Sequence, residues 1–326
     1  MFELIRPGTT IDFVGKRHIW ISLSIIAIAI SFALFFTKGL NYGIDFSGGA
    51  EIQVKVPGDW DTGRLRDVLA KGGVESPHVI QIGDPSQHEF LIKEQGDEKS
   101  LNLISKKVGD ILGQNLKAGQ YEIERADVVG PAAGSSLRKS GFLSMFYALV
   151  CILVYVTIRF DARYSPGAVL ALFHDTMITI GILVLTRTQF DLTVLAAILA
   201  LIGYSNNDTI IVYDRVRETL RQHPEMDIEK AVNRSTNETL GRTILTSLAT
   251  FLTAFALWAF GGSVIRDFAF TFMIGIVVGS YSSIFIASSM VIYLTHRQQK
   301  KSKFTKTSPS ANKRRVNVRP EPKLQS

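Results

Sequence analysis

Long apolar runs alternate with polar stretches along the chain, and six of the runs are long enough to cross a membrane. An α-helix rises about 1.5 Å per residue, so about 20 apolar residues span a hydrocarbon core about 30 Å thick. The pattern therefore predicts an integral membrane protein rather than a soluble enzyme. The predicted spans are Ile19 to Phe36, Phe142 to Ile158, Pro166 to Leu185, Leu192 to Val212, Ile244 to Phe260 and Phe268 to Leu294.

The polar stretch between the first two spans has the pattern of a small α+β domain. Alternating β-branched residues predict strands, and apolar residues at helical spacing predict helices. The predicted order β-α-β-β-α-β is typical of a ferredoxin-like sheet with two helices on one face. We predict an α-helical bundle of six spans with this domain on the outside. The elements are Ala50 to Val56, Asp61 to Gly72, His78 to Ile82, Phe90 to Lys93, Leu101 to Leu112 and Tyr121 to Val129.

The chain divides into five predicted parts, and their charges give the orientation. Lys and Arg gather in alternate connections, which the positive-inside rule places in the cytoplasm. Both termini are therefore expected in the cytoplasm of a bacterial cell and the large loop on the periplasmic side. The parts are a cytoplasmic segment 1–18, the first span 19–36, the outer domain 37–141, a five-span bundle 142–295 and a basic, disordered tail 296–326.

The net charge of +7 comes from this tail, which holds ten Lys or Arg and one acid from Arg297 onward. The remainder of the chain therefore carries −2. A basic segment next to a span anchors the cytoplasmic end and attracts anionic lipid more often than it reads a nucleic-acid sequence. We expect membrane lipids as partners of the tail and no specific nucleic acid. Cys151 is the only cysteine, which excludes an intrachain disulfide.

Ionisable side chains interrupt the third and fourth spans. His174 and Asp175 lie in the third span, and Asp208 lies in the fourth beside Asn206 and Asn207. A charged side chain at the bilayer centre costs at least about 2.5 to 3.5 kcal/mol on insertion scales. At 1.5 Å per residue, Asp175 lies about 14 Å and Asp208 about 8 Å from the cytoplasmic ends of their spans. The two carboxylates can therefore share one polar cavity that opens toward the cytoplasm.

Asp208 has two interpretations. It is either a structural polar contact between helices or a proton-coupling residue. Arg242 precedes the fifth span on the same side of the membrane and can pair with an ionised carboxylate. A carboxylate that loses such a partner in a low-dielectric cavity takes up a proton. The ionisable pair in the adjacent span favours coupling through Asp208 and Arg242. The supporting polar positions are His174, Asp175, Asn207 and Thr209.

Enzymatic chemistry has little support in the sequence. There is no phosphate-binding loop and no cluster of metal ligands, so we expect no catalytic residue, no metal and no cofactor. Asp175 and Asp208 do not fit an intramembrane aspartyl protease, because their depths differ and the sequence context of such a pair is missing. In the last span, Gly275 and Gly279 have the spacing of a close helix contact, either within the chain or with another subunit.

Several ordered motifs resemble the SecD/SecF family over residues 11 to 295. They are Gly43 to Gly49 after the first span, with Asp45, Gly48 and Gly49; Val129-Gly130-Pro131 before the second; Leu172 to Asp175; Gly203 to Thr209; and Tyr213 to Glu218, with Asp214 and Arg215. The segment from Asn233 to Ser247 also resembles that family. Two positions depart from the family pattern, Asn206 and Glu238. Glu238 adds a negative charge that can compete for Arg242.

The resemblance implies a subunit of the Sec protein-export apparatus, related to the RND transporters. Such a subunit uses the proton-motive force to promote translocation and release of preproteins. The implied partners are a SecD-like subunit in a heterodimer, the SecY-E-G channel, YajC-like and YidC-like proteins, and the unfolded preprotein. Asp208 and Arg242 are then proton-path residues. Two other functions stay open from the topology alone, namely half of an RND-type small-molecule exporter and a non-catalytic scaffold.

Overall fold

The structure is a computed structural model that describes residues 10–74, 77–82, 85–95, 98–117, 119–160 and 164–307. Within these residues, six helices are long and apolar enough to cross a membrane. The elements are α1 (Arg17–Lys38), α2 (Ile44–Ser47), β1 (Gly49–Lys55), α3 (Thr62–Lys71), β2 (His78–Ile82), β3 (Glu89–Gln95), α4 (Glu98–Asn115), β4 (Glu122–Val129), α5 (Pro131–Arg159), α6 (Ser165–Thr186), α7 (Leu192–Gln222), α8 (Ile228–Phe260), α9 (Ser263–Ser282) and α10 (Ser288–Thr307).

The outer domain is the predicted ferredoxin-like unit. Its four strands form one antiparallel sheet in the order β2-β3-β1-β4. Alternate residues of the central strands face the helices α3 and α4, as the period of two in a strand requires. Ile52, Val54 and Ile92 from the sheet are completely buried against Leu65 and Val108 from the helices. The core of this domain is therefore an ordinary apolar one.

The Gly-rich stretch after the first span connects the outer domain to the bundle. This stretch forms one helical turn, α2, in which Gly48 N donates to Ile44 O. Gly48 has a φ of +82°, and a Cβ at this position would lie 2.8 Å from Pro131 Cα. Glycine is needed because a side chain would collide with the start of α5. The two family motifs at Gly48 and Pro131 therefore touch each other.

The membrane bundle is built around α6 and α7, whose apolar segments are more than half buried, while α1, α5 and α8 are mostly exposed. The exposed residues of these outer helices are large and apolar, for example Ile19, Ile158 and Phe260. An apolar surface on this scale suits lipid rather than water. Two glycines of α9 pack against α7, because a Cβ on Gly275 would collide with Leu201 and one on Gly279 with Ser205. The predicted glycine contact therefore lies within the chain.

The last span is one continuous helix with an irregular turn near its middle. A π-helical turn over Ser283–Ala287 joins α9 to α10. Such turns insert one residue into the helix and are frequent at functional sites. The turn directly follows Ser282, which is completely buried.

Helix boundaries differ from the prediction in three places. α5 begins at Pro131 rather than near Phe142, because its first turns stand above the membrane and carry polar residues such as Arg138. α8 begins at Ile228, well before the apolar run from Ile244. The last helix continues to Thr307, into the predicted tail. Residues 1–9, 308–326 and the predicted cytoplasmic Arg163 lie outside the described residues.

Candidate functional site

Asp175 is buried at the centre of the bundle with 1% of its surface exposed. It lies on α6, and both oxygens of its carboxyl group have hydrogen-bond partners. Ser205 Oγ on α7 reaches Oδ2 at 2.5 Å, and Ser282 Oγ on α9 reaches the same atom at 2.8 Å. Its Oδ1 lies 2.9 Å from Nδ1 of His174. Asp175 therefore ties three helices together through its carboxylate.

His174 extends this network to the first span. Its Nε2 lies 3.1 Å from Ser24 Oγ on α1, and Ser24 Oγ lies 2.8 Å from the Tyr281 hydroxyl on α9. Tyr281 in turn donates to the carbonyl oxygen of Trp20 at 2.8 Å. The His174 and Tyr281 rings also stack, with centroids 5.8 Å apart. The network thus contacts α1, α6, α7 and α9.

Asp208 lies on α7 and is also buried, with 2% of its surface exposed, but it has far weaker contacts than Asp175. Ser247 on α8 donates to Asp208 Oδ2 at 3.4 Å, a long hydrogen bond. The same Ser247 oxygen accepts from Ser280 of α9 at 2.7 Å. A hydrogen bond of this length stabilises a carboxylate weakly compared with the short ones at Asp175. Asp208 is therefore a buried carboxyl group that is poorly satisfied.

The two carboxylates belong to one polar layer. Ser205, which binds Asp175, lies three residues before Asp208 on α7, and residues at that spacing are neighbours on a helix. Ser280 and Ser282 serve the two carboxylates from the same turn of α9. The two carboxyl groups are therefore neighbours through packed serine side chains, while the shared cavity that opens toward the cytoplasm stays a prediction. Within the described residues, no group of three or more His, Cys, Asp or Glu is placed to hold a metal ion.

Hydrogen-bonding capacity around Asp208 is left unused. Three buried oxygens have no partner among the residues that the structure describes, namely Asn206 Oδ1, Thr209 Oγ1 and Thr243 Oγ1. Buried polar atoms without partners are uncommon in folded proteins and call for an explanation. Asn207, the other predicted polar neighbour, points to the surface of the bundle.

Arg242 does not contact Asp208. Its side chain is exposed, and no ion pair joins the two in the part of the chain that is described, although Arg242 is near enough to act on Asp208 through its charge. The expected competition from Glu238 is absent, because Glu238 is held by Arg215 at 2.5 Å and by Arg234 at 2.8 Å. Arg242 is thus left without a bound carboxylate beside the polar layer.

The face of α7 next to this layer is open. Its exposed residues are small or polar and recur at helical spacing, and a Cβ on Gly203 would meet nothing within 4 Å. Lipid-facing surfaces elsewhere on this bundle carry large apolar side chains instead. Small residues allow a second helix to approach closely. The residues of this open face are Ala196, Ala200, Gly203 and Asn207.

The other motif residues lie at the two ends of the bundle. At the outer end, Asp45 Oδ2 accepts from the backbone N–H of Leu192 at 3.0 Å and so caps α7. A Cβ on Gly49 would lie 2.4 Å from Glu94 O, while Gly130 immediately precedes α5. At the opposite end, Asp214 faces Arg159 at 4.0 Å, and Arg215 also binds Glu218. These residues hold the architecture and do not contact the carboxylates.

Both carboxylates were predicted from the sequence, but most of their hydrogen-bond partners were not. Ser24 on the first span showed no signal at all, because a single serine in an apolar run is common. The sequence does not identify Ser205 and Ser282 as partners of Asp175. Tyr281 and Ser280 were not predicted. Only the fold shows that these hydroxyls converge on the two carboxyl groups.

Two family models match the chain. The model described as "Protein export membrane protein SecD/SecF, C-terminal" matches residues 108–297, and the "SecD/SecF GG Motif" matches residues 33–56. A protein translocase subunit SecF from Calditerrivibrio nitroreducens is 45% identical, over 89% of this chain and 95% of its own length. A Pseudomonas aeruginosa SecF is 40% identical over 89% of this chain and 93% of its own length.

Longer, fused relatives also match. A protein translocase subunit SecDF from Brucella abortus is 38% identical over 89% of this chain, which spans 38% of that relative's length. The crystal structure of SecDF from Thermus thermophilus, titled a translocon-associated membrane protein, is 34% identical with a TM-score of 0.74. It covers 89% of this chain, which spans 39% of the SecDF chain. With its motifs, its six spans and these relatives, the chain belongs to the SecD/SecF family of protein export membrane proteins.

Proposed function

We propose that this chain is a SecF-like subunit of the Sec translocase accessory complex, which uses the proton-motive force to promote preprotein translocation and release across the cytoplasmic membrane. The observation that carries the proposal is the state of Asp208. It is a carboxyl group buried between membrane helices and held by one hydrogen bond of 3.4 Å, and Asn206 and Thr209 beside it on α7 have side-chain oxygens without partners among the described residues. A carboxylate that only holds helices together would have short, complete hydrogen bonds.

A buried carboxyl group with few hydrogen bonds gains or loses a proton with a small change in free energy. One elementary charge moved across 100 mV is worth about 2.3 kcal/mol, and about 1.4 kcal/mol shifts an equilibrium tenfold. Asp208 takes up a proton from one side while Arg242 is away. It releases the proton when the bundle brings the exposed Arg242 guanidinium to the carboxylate. The separation of Arg242 and Asp208 then corresponds to the proton-bound half of the cycle.

The open face of α7 supports a SecD-like partner in a heterodimer. In the fused SecDF relatives, one chain carries both parts, and this chain matches less than half of it. A second bundle packed on Ala196, Ala200, Gly203 and Asn207 would cover the only small-residue face that the described helices leave open. It would also enclose Arg242 and the polar layer. Asp208 would then lie near the seam between two six-span halves.

The remaining partners follow from the family. A SecY-E-G channel supplies the preprotein, YajC-like and YidC-like proteins complete the assembly, and the outer domain works on the periplasmic side, with both termini in the cytoplasm. The support for this orientation is the distribution of Lys and Arg. Arg215, Arg217 and Arg234 all lie at the α7–α8 end of the bundle, and the outer domain lies at the other end.

Export from membrane vesicles tests the proposal. Vesicles would carry this chain and its SecD-like partner at equal abundance, and a secreted reporter would be followed with and without a proton gradient. Asp208→Asn keeps the size of the side chain but cannot ionise. We expect it to abolish the gradient-dependent part of export and to leave the gradient-independent part. Asp227→Asn is the matched control, because Asp227 caps α8 and asparagine caps a helix equally well.

Unchanged export in Asp208→Asn would reject the coupling role and favour a scaffold. Gradient-dependent efflux of a small molecule by this chain as a homodimer would favour half of an RND-type exporter instead. Loss of export together with loss of the complex would be resolved by Asp208→Glu. This variant restores an ionisable group and should recover part of the gradient-dependent export.

A further inference from the structure

We infer that His174 and Asp175 form a second proton-binding site. It holds one proton between His174 Nδ1 and Asp175 Oδ1 while the hydrogen bonds around the two residues remain intact. The two atoms are 2.9 Å apart, and each residue has 1% of its surface exposed. The number of hydrogen-bond donors between Trp20 and Asp175 requires this proton.

The direction of each hydrogen bond is fixed from Trp20 backward. A tyrosine hydroxyl has a single proton. Tyr281 uses it on the carbonyl oxygen of Trp20, so it must accept at its contact with Ser24. Ser24 also has one proton, which goes to Tyr281, and its oxygen must accept from His174 Nε2 at 3.1 Å. His174 therefore carries a proton on Nε2.

With Nε2 protonated, the other nitrogen decides the charge of the pair. If Nδ1 were bare and Asp175 ionised, two lone pairs would face each other at 2.9 Å, which is repulsive. A proton must therefore lie in this contact. It sits either on Nδ1, giving imidazolium and carboxylate, or on Oδ1, giving two neutral groups. In both placements the pair is neutral overall, which suits its burial.

The surroundings of Asp175 do not offer another explanation for its neutrality. Oδ2 accepts from Ser205 and Ser282, and the Ser282 contact to Asp175 is shorter than the one to Gly279 O, 2.8 against 3.1 Å. Both serines are uncharged. Among the described residues, His174 is the ionisable group that contacts Asp175. The nearest other carboxyl group along α7 is Asp208, one turn beyond Ser205.

Release of this proton requires the helices to move. Without the proton, the Nδ1 to Oδ1 contact must open, and Asp175 is packed against α9, where a Cβ on Gly279 would be in van der Waals contact with Oδ2 at 3.6 Å. The π-helical turn that begins at Ser283 gives α9 a point at which to shift. The pair is thus a proton store that opens only with a change of bundle conformation. Its use in export rests on the proposed function, but the presence of the proton does not.

Solid-state NMR of the full chain in lipid bilayers tests the site. Nitrogen-15 labelling of the six histidines reports the protonation of each ring nitrogen, and the His174→Gln variant assigns the His174 signals. We expect His174 Nε2 to stay protonated and the Nδ1 signal to stay unchanged from about pH 5.5 to about pH 8.5.

A serine pair on α1 gives a matched control. Ser24→Ala removes the acceptor at Nε2, so His174 should become able to move its proton to Nδ1 and to change protonation with pH. Ser31→Ala removes a buried serine of the same helix that bonds only to the carbonyl oxygen of Ala27, and it should leave the His174 signals as in the wild type.

Two results would overturn the inference: a His174 Nδ1 signal that changes across this pH range in the wild type, or a neutral His174 with a bare Nε2. Either is read in the unmodified chain, so a variant that fails to fold does not matter. Export is a separate arm. If Asp208→Asn leaves export unchanged, the proposed function fails while the NMR result stands. If the proton is present and Asp175→Asn at equal abundance reduces gradient-dependent export by tenfold or more, the store works in the coupling cycle.

Discussion

The outer domain and the membrane bundle fill their interiors in opposite ways. The outer domain buries Ile52, Leu65 and Ile92 and keeps its ionisable groups near the surface, with Glu94 as the buried charged side chain among its described residues. The bundle buries His174, Asp175 and Asp208 and exposes its large apolar residues. The solvent explains this inversion, because lipid solvates apolar side chains as well as a protein core does.

The comparison shows where stability and function are separated. In the outer domain, burial of apolar area gives the stability, and the loss of a core side chain should be costly. In the bundle, burial of an apolar side chain adds little stability, because lipid is as apolar as the protein interior. Close packing and hydrogen bonds between the helices therefore determine the stability of the bundle. The predictions that follow test this contrast, in order of the expected effect on the stability of the chain.

The largest effect is expected for a core truncation in the outer domain. Leu65→Ala removes a completely buried side chain and should lower the free energy of unfolding of that domain by about 2 to 5 kcal/mol. Urea denaturation of the full chain in detergent, followed by the fluorescence of Trp60 in a Trp20→Phe, Trp258→Phe background, measures it. Leu103→Ala, at an exposed position, should change it by no more than about 0.5 kcal/mol. Equal losses at both positions would contradict the assignment of the core.

A smaller loss is expected when Asp175 loses a donor. Ser205→Ala leaves the buried carboxylate without its shortest hydrogen bond and should cost about 1 to 3 kcal/mol. Thermal unfolding of the helices in lipid, followed by circular dichroism, measures the change. Ser144→Ala is the control, because Ser144 is exposed on α5 and bonds only to Ser140 O of its own helix. A loss no larger than the control would mean that hydrogen bonds do not hold the bundle.

The open face of α7 should tolerate bulk in the isolated chain but not in the complex. Gly203→Leu meets free space, so the chain alone should keep its stability to within about 1 kcal/mol, the cost that helix propensity allows. Co-purification with the SecD-like subunit should nevertheless fall by tenfold or more. Val154→Phe adds similar bulk to the lipid-facing side of α5 and should leave co-purification unchanged. Normal assembly of Gly203→Leu would place the partner on another face.

The smallest effect concerns Asp191, at the junction of the two regions. It caps α7 and lines a small cavity with Lys93 and Asp267, and burial raises its pKa above the ordinary value. A carboxyl group with a raised pKa contributes stability at low pH that is lost as the pH rises through that pKa. Asp191→Asn should therefore raise the melting temperature at about pH 7.5, and the difference should vanish near the ordinary carboxyl pKa of about 3.9.

The control for this last measurement is Asp61→Asn. Asp61 also caps a helix, α3, by accepting from Arg64 N at 2.7 Å, but it is exposed. Asparagine can replace both caps, and Asp191 differs from Asp61 in its burial and in the charged neighbours of its cavity. A melting temperature of Asp191→Asn below that of the wild type at about pH 7.5 would show that the charge of Asp191 is favourable.

The fold could be predicted from the sequence because two patterns dominate the sequence, namely long apolar runs and the alternation of apolar and polar residues. The six apolar runs and the β-α-β-β-α-β order were confirmed, since length and alternation are properties of the chain alone. The start of α5 at Pro131 was not predicted, because polar residues such as Arg138 interrupt the apolar pattern where the helix stands above the membrane. The apolar pattern shows where the chain leaves the lipid, but α5 extends beyond that point.

The site followed from the sequence only in part. His174, Asp175 and Asp208 were visible because an ionisable residue in an apolar run is costly and therefore informative. Their serine partners were not visible, because a hydroxyl costs little in a helix, where it can bond to its own backbone. The distance between Arg242 and Asp208 depends on the crossing of α7 and α8, which no residue pattern gives. The coupling roles of Asp208 and Arg242 stay predictions.

The contact between Gly48 and Pro131 has a consequence for how this architecture can evolve. β1 follows Gly48, β4 ends before Pro131, and the two strands pair from Gly49 with Val129 onward. The chain therefore leaves the bundle and returns to it at nearly the same point. A segment inserted between two adjoining points does not force the flanking helices apart, whatever its size. Lineages can thus enlarge, shrink or exchange the outer module while inheriting the membrane machinery unchanged.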